Sequence, residues 1–242
     1  MLLIFLGVGL ELSQSQVGLM IFLNQVFGQL PDLFWACLTI TGLGWSVLIL
    51  ISIANRHELG ARLALTGFIA GSLVTHSIKP LLQHPRPGEV ISPQLLHYIG
   101  APVINHLSMP SGHSVAAFCL ATLWICLLRT YQAPRYFEYL AWLLAILIAL
   151  SRIAVGAHWP ADVCVGAGLG ILVGWIAWRL PLPWPSSTPS ALPWLAIAVE
   201  TTGAICALTL EEGMSIAQPW QITLGFVAIL SVVHRFFVGW KR

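Results

Sequence analysis

Charge is what this sequence has least of. Only 8% of its 242 residues are charged, eleven basic and nine acidic, against about a quarter in soluble domains. A globule of this size needs a charged surface, so a soluble protein is excluded. The net charge of +2 and the lack of any basic run exclude a nucleic-acid binder. Cysteines are few and isolated. Cys37, Cys119, Cys126, Cys164 and Cys206 sit singly in apolar runs, with no CxxC pair and no Cys/His ligand spacing. They read as small buried hydrophobes, so neither a disulfide framework nor a metal site is expected, and no cofactor. No internal repeat is visible.

What is present is apolar. Hydrophobic residues make up 57% of the chain, and the mean hydropathy is +0.84. Eleven tryptophans suit aromatic belts at two membrane interfaces. The expectation is an all-α, polytopic transmembrane helix bundle of about six to seven spans. Spans are expected at roughly 33–53, 61–79, 113–129, 137–154, 160–179, 192–210 and 221–238. Residues 17–30 place Leu19, Leu23, Val26 and Leu30 on one helical face, with Asn24, Gln25 and Gln29 elsewhere, an amphipathic segment expected on the interface. Residues 2–10 are too short to span. No basic residue precedes them, so they make a poor signal peptide, and they read equally as the tail of a helix that starts further upstream. The stretch 180–193 holds five prolines and three serines and reads as a linker. The expected organisation is therefore an N-terminal apolar or amphipathic segment (1–32), a five-span core (33–179), a Pro-rich linker (180–193) and a two-span tail (194–242).

The few cations orient the chain. Arg56, Arg62, Arg129, Arg135, Arg179, Arg235, Lys241 and Arg242 fall on one side, which the positive-inside rule makes cytoplasmic. Lys79, Arg86 and Arg152 fall on the other. The expected location is a bacterial inner membrane, crossed several times, with those three residues facing the periplasm.

Three polar clusters interrupt the apolar pattern: "KPLLQHPRP" (79–87), "PSGH" (110–113) and "SRIAVGAHWPAD" (151–162). Helix direction alternates, so all three fall on the outer face. Cations crowded near a bilayer repel unless an anion joins them. Arg offers a planar fork and Lys a point charge, both suited to phosphoryl oxygens. Ser111 and Gly112 open a helix whose free N–H groups favour phosphate. His158 and Asp162 are four residues apart and face one way on a helical turn. A carboxylate on one ring nitrogen leaves the other free to attack phosphorus. His113, from another helix, can protonate the leaving oxygen.

Written together, the clusters read K-x6-R-P, P-S-G-H and S-R-x5-H-x3-D. This pattern resembles the three-part signature of the type 2 phosphatidic acid phosphatase superfamily. All eleven fixed positions match, from Lys79, Arg86 and Pro87 through Pro110–His113 to Ser151, Arg152, His158 and Asp162. In functional type the chain looks like the bacterial phosphatidylglycerophosphatase B and undecaprenyl pyrophosphate phosphatase members. The resemblance covers roughly residues 33–179 and implies a membrane bundle with its pocket at the outer leaflet. It implies that His158 is the nucleophile, Asp162 its orienting partner and His113 the general acid. Lys79, Arg86, Ser111, Gly112 and Arg152 would hold the phosphate, with no metal. The superfamily's soluble acid phosphatases and vanadium haloperoxidases are excluded by the hydropathy.

The expected activity is hydrolysis of a lipid phosphomonoester or pyrophosphate, of the undecaprenyl pyrophosphate, phosphatidylglycerol phosphate or phosphatidic acid type. The expected partners are that lipid and the bilayer, with no obligate protein partner. Two alternatives stand beside it: a lipid phosphotransferase using the same phosphohistidine, and a non-catalytic lipid transporter or binding protein. His76 and His84, near Lys79 and Arg86, are candidates for supporting roles. Glu200 is an acid inside the sixth span with no partner cation visible in the tail. His97 and His106 lie in the outer loop 88–109, read either as a shaper of the lipid entrance or as a connector hugging the membrane.

Overall fold

Apolar runs separated by Pro, Gly and polar turns fold as helices, because a backbone in lipid must satisfy its own N–H and C=O groups. The computed structural model describes residues 1–13, 15–54, 58–180 and 191–239. In order, the helices are α1 (Leu2–Leu12), α2 (Gln16–Phe27), α3 (Asp32–Thr41), α4 (Gly44–Ala54), α5 (Glu58–Leu82), α6 (Pro87–Val90), α7 (Gly112–Thr130), α8 (Tyr136–Ala154), α9 (Pro160–Arg179), α10 (Ala191–Thr209) and α11 (Gln218–Gly239). Among the described residues there is no strand. Among those residues, four helices are long and apolar enough to cross a membrane, or up to six spans if each of two bent pairs counts as one. The cations at Arg56, Lys241 and Arg242 and residues 181–190 of the expected linker lie outside the described residues; the linker's last three residues already belong to α10.

Two readings change. The single span expected over 33–53 is two helices, α3 and α4, bent by 74° where they meet. Gly42 caps α3 there, and a side chain on it would strike Ile148 at 2.4 Å and press His113 at 3.2 Å. One polar residue of the amphipathic segment, Asn24, also faces inward, while Gln25 and Gln29 are exposed as expected. Gln16, Met20 and Asn24 are buried, while Val26 and Leu30 of the predicted apolar face are exposed. Four hydrogen bonds offset the burial of Asn24. Its Nδ2 donates to the carbonyls of His97, Ile153 and Ala154, and its Oδ1 accepts from His97 N–H. A buried amide this well satisfied locks α2 to the end of α8.

The centre of the bundle is the pair α7 and α9. Its closeness depends on a glycine every fourth residue of α9. A Cβ on Gly166, Gly170 or Gly174 would lie 2.5–2.7 Å from the carbonyl oxygens of Ser111, Val115 and Cys119. Small residues at this spacing let two backbones touch, which drives helix association where lipid offers no hydrophobic gain. Gly170→Leu is therefore expected to cost about 2–4 kcal/mol through forced separation. A fall in the thermal midpoint of the detergent-solubilised protein would show it, with exposed Leu172→Ala unaffected.

The C-terminal helices pack on α4. Trp45 Nε1 donates to Glu212 at 3.0 Å, and Trp220 Nε1 donates to Thr41 at 3.0 Å. Glu200 does have a cation: Arg235 Nε lies 2.9 Å from its Oε1, joining α10 to α11. The partner sits 35 residues away on the next helix.

Candidate active site

The three polar clusters meet at one end of the α7–α9 pair. Helix α9 begins at Pro160, and Asp162 lies in its first turn. One oxygen of Asp162, Oδ2, accepts three donors: Trp159 N–H at 2.9 Å, Ser108 Oγ at 2.5 Å and His158 Nδ1 at 3.2 Å. The carboxylate thus caps its own helix and orients the histidine four residues before it. The turn that carries His158 closes on Arg152, whose carbonyl accepts the N–H groups of Ala157 and His158. Gly156 makes that turn with φ of +77°, and a Cβ there would strike Tyr98 at 2.8 Å.

His158 is buried, and its other nitrogen, Nε2, stands 3.3 Å from Arg86 Nη1. A guanidinium only donates, so Nε2 holds a lone pair and the proton sits on Nδ1. Burial pushes the imidazole down to about 3, overriding the pull of Asp162, so the ring is neutral at ordinary pH. Arg86 is itself buried and well held. It donates to Ala157 O at 2.7 Å, Asn105 Oδ1 at 2.9 Å and Leu107 O at 3.4 Å. Lys79, at the end of α5, donates to the same Leu107 carbonyl at 2.5 Å. Burial lowers the Arg86 pKa from its usual value, against the carboxylates of Asp162 and Glu89.

Ser111 joins the second cluster to the third. Its N–H donates to the Asp162 carbonyl at 3.1 Å, and its Oγ caps α7 through Ser114 N–H. Two candidates end in unpartnered atoms. Arg152 is 6% exposed, yet its Nε and Nη1 have no hydrogen-bond partner among the described residues, nor has the buried Nε2 of His113. Buried donors in native proteins are nearly always satisfied, so an unmet Arg beside a lone-pair histidine has the character of an anion site. Ser151, though part of the motif, faces α3 and bonds Thr39 Oγ1 at 2.9 Å.

A cavity of about 420 Å³ adjoins Gly112 and His113. It is lined on α7 from Gly112 to Leu123, and by Gly67, Phe68 and Gly71 of α5 and Trp45 of α4. At 1.5 Å per residue it follows α7 for roughly 16 Å toward the middle of the bundle. Its walls are overwhelmingly apolar.

The loop 88–109 is a structural part of this site, since Asn105, Leu107 and Ser108 hold Arg86, Lys79 and Asp162. Sequence reasoning passes over Asn105 and Ser108, and nothing local to that loop announces that they reach Arg86 and Asp162. His97 and His106 sit further out, against Asp32 at 2.8 Å and Glu89 at 3.2 Å. His76 lines the cavity and bonds Ser72 O at 2.8 Å in its own helix.

The PAP2 superfamily model matches residues 60–184, more than half of the chain and all three clusters. The chain belongs to the PAP2 superfamily. It is 27% identical over 188 residues to the undecaprenyl-diphosphatase of Sulfolobus acidocaldarius, covering 78% of this chain and 72% of that one. It is 27% identical over 192 residues to the lipid A 4'-phosphatase of Bacteroides thetaiotaomicron, covering 74% and 84%. It is 31% identical over 140 residues to the putative undecaprenyl-diphosphatase YbjG of Escherichia coli, covering 55% and 64%. No solved structure matches the chain. This PAP2 protein is a multi-pass membrane lipid phosphatase, a hydrolase of lipid phosphates.

Proposed function

We propose that this PAP2 phosphatase hydrolyses a lipid pyrophosphate or phosphomonoester at the outer leaflet of a bacterial inner membrane, through a phosphohistidine and without a metal. The observation that carries the reading is the pairing of two features: a buried His158–Asp162 couple walled by Arg86 and Arg152, and an apolar cavity that starts at His113. A phosphate headgroup suits the first, and an apolar chain the second.

In this reading the Nε2 lone pair of His158 attacks phosphorus while the bond to the leaving oxygen breaks. His113 delivers a proton to that oxygen. Asp162 stabilises the positive charge that appears on the imidazole. Arg86, Arg152, Lys79 and the Ser111–Gly112 end of α7 take up charge on the equatorial oxygens. Water then attacks the phosphohistidine, the P–N bond breaks, and the proton removed from water returns to His113. Two of the relatives named above carry undecaprenyl diphosphate in their names, which favours a polyprenyl pyrophosphate over a glycerolipid.

The test is phosphate release by purified protein in detergent with EDTA, offered undecaprenyl pyrophosphate, phosphatidylglycerol phosphate and phosphatidic acid. Release that survives EDTA, fastest from the polyprenyl substrate, is expected. Dependence on an added divalent cation would sink the metal-free mechanism. A faster rate on a glycerolipid would reassign the substrate.

A further inference from the structure

Nine acidic residues serve the whole chain, and two of them converge on His84. Glu11, the single acid before Asp32, ends helix α1. Its Oε1 lies 2.6 Å from His84 Nε2, while its Oε2 accepts from Gln16 Nε2 at 2.8 Å. On the other side of the ring, His84 Nδ1 lies 3.4 Å from Asp162 Oδ1, an ion-pair separation. That oxygen is fully buried, and among the described residues neither it nor His84 Nδ1 makes a hydrogen bond, all three donors to Asp162 being on its twin, so the two atoms face one another as an unshared ion pair. The four groups form one line: Glu11, His84, Asp162, His158.

A neutral imidazole has one N–H and can donate to one carboxylate. A ring facing carboxylates from both nitrogens is satisfied only as an imidazolium. We propose that His84, held as a cation between Glu11 and Asp162, is a positioning residue that fixes the Asp162 carboxylate for His158, and so makes helix α1 part of the catalytic apparatus. The inference rests on the phosphohistidine reading above. The other charged or titratable groups around this line are Arg86, two residues along the same loop, Lys79 at the end of α5, and the His158 ring beyond Asp162; the Trp159 and His84 rings meet edge to face with centroids 6.3 Å apart. Burial disfavours charge on His84, but the Asp162 carboxylate beside it and the hydrogen-bonded Glu11 carboxylate outweigh it and raise its pKa above the ordinary value.

The sign follows from linkage. A raised folded-state pKa means the clamp contributes fully below the unfolded value of about 6.5 and is lost as pH rises through the folded value. Wild type, Glu11→Gln and His84→Gln are assayed for release of phosphate from short-chain phosphatidic acid between pH 6 and 9. Thermal unfolding is followed over the same range. The expected result is a kcat about tenfold lower in both variants with KM unchanged. The alkaline limb should move to lower pH in Glu11→Gln, which loses the anion that holds the proton. The midpoint advantage of wild type over His84→Gln should shrink from pH 6 to 9. Variants that keep the wild-type profile shape, whether fully active or uniformly weakened, would overturn the inference. If wild type releases no phosphate, the phosphatase reading fails on this probe, and the pH dependence of the unfolding difference alone decides the clamp.

Discussion

Replacing His158 with Ala is expected to abolish phosphate release, by about 10^4-fold or more, while the bundle stays folded. Among the described residues, His158 combines a lone pair on one ring nitrogen with a carboxylate behind the other. Nε2 is kept unprotonated by the guanidinium at 3.3 Å, and Nδ1 points to Asp162 at 3.2 Å. In wild type, a quench into alkali should trap phosphate on the protein as an acid-labile, base-stable adduct, absent from His158→Ala. Stability gives a second readout. The folded protein keeps His158 neutral down to about 3, whereas an unfolded chain protonates it near 6.5. The unfolded state therefore binds the extra proton, and wild-type stability falls as pH drops from about 6.5 toward 3. His158→Ala should lose part of that acid sensitivity. Residual activity above a tenth of wild type would exclude His158 as nucleophile.

Arg152→Met is expected to destroy activity and raise stability at the same time. Burying a guanidinium with Nε and Nη1 unmet costs free energy, and an apolar side chain of similar length removes that cost. A gain of about 1–3 kcal/mol in unfolding free energy is expected. In the proposed mechanism the same two donors hold phosphoryl oxygens, so kcat/KM should fall about 10^2- to 10^4-fold. Orthovanadate or phosphate should raise the thermal midpoint of wild type and leave that of Arg152→Met unmoved. A variant less stable than wild type would mean that Arg152 is a structural strut.

Much of the site is legible in the sequence because its chemistry is written in residue types at short spacing. His158 and Asp162 are one helical turn apart, and "PSGH" and "HPRP" announce themselves by their polarity in a greasy chain. The close approach of α7 and α9 rests on a short-range spacing that the sequence reading passes over. Gly166, Gly170 and Gly174 recur every fourth residue, a spacing that marks two touching helices. The bend between α3 and α4 falls at Gly42 and Gly44, which a hydropathy window averages away. The burial of Asn24 is hidden for a different reason. Polar residues on a short helix usually mark solvent, but Asn24 meets carbonyls that the fold alone supplies.

By itself, the sequence determined the membrane setting, the helical class, the family and the identity of the polar clusters. Each follows from composition or from spacings of a few residues, which hydropathy and the 3.6-residue turn translate directly into structure. Tertiary structure alone decided which atoms meet. Ser108 reaches Asp162 across 54 positions, Arg86 reaches His158 across 72, and Glu11 reaches His84 across 73. No local periodicity encodes such distances. They exist because α1, α5, α7 and α9 pack side by side, and in a medium that satisfies no polar group the buried donors and acceptors pair with one another.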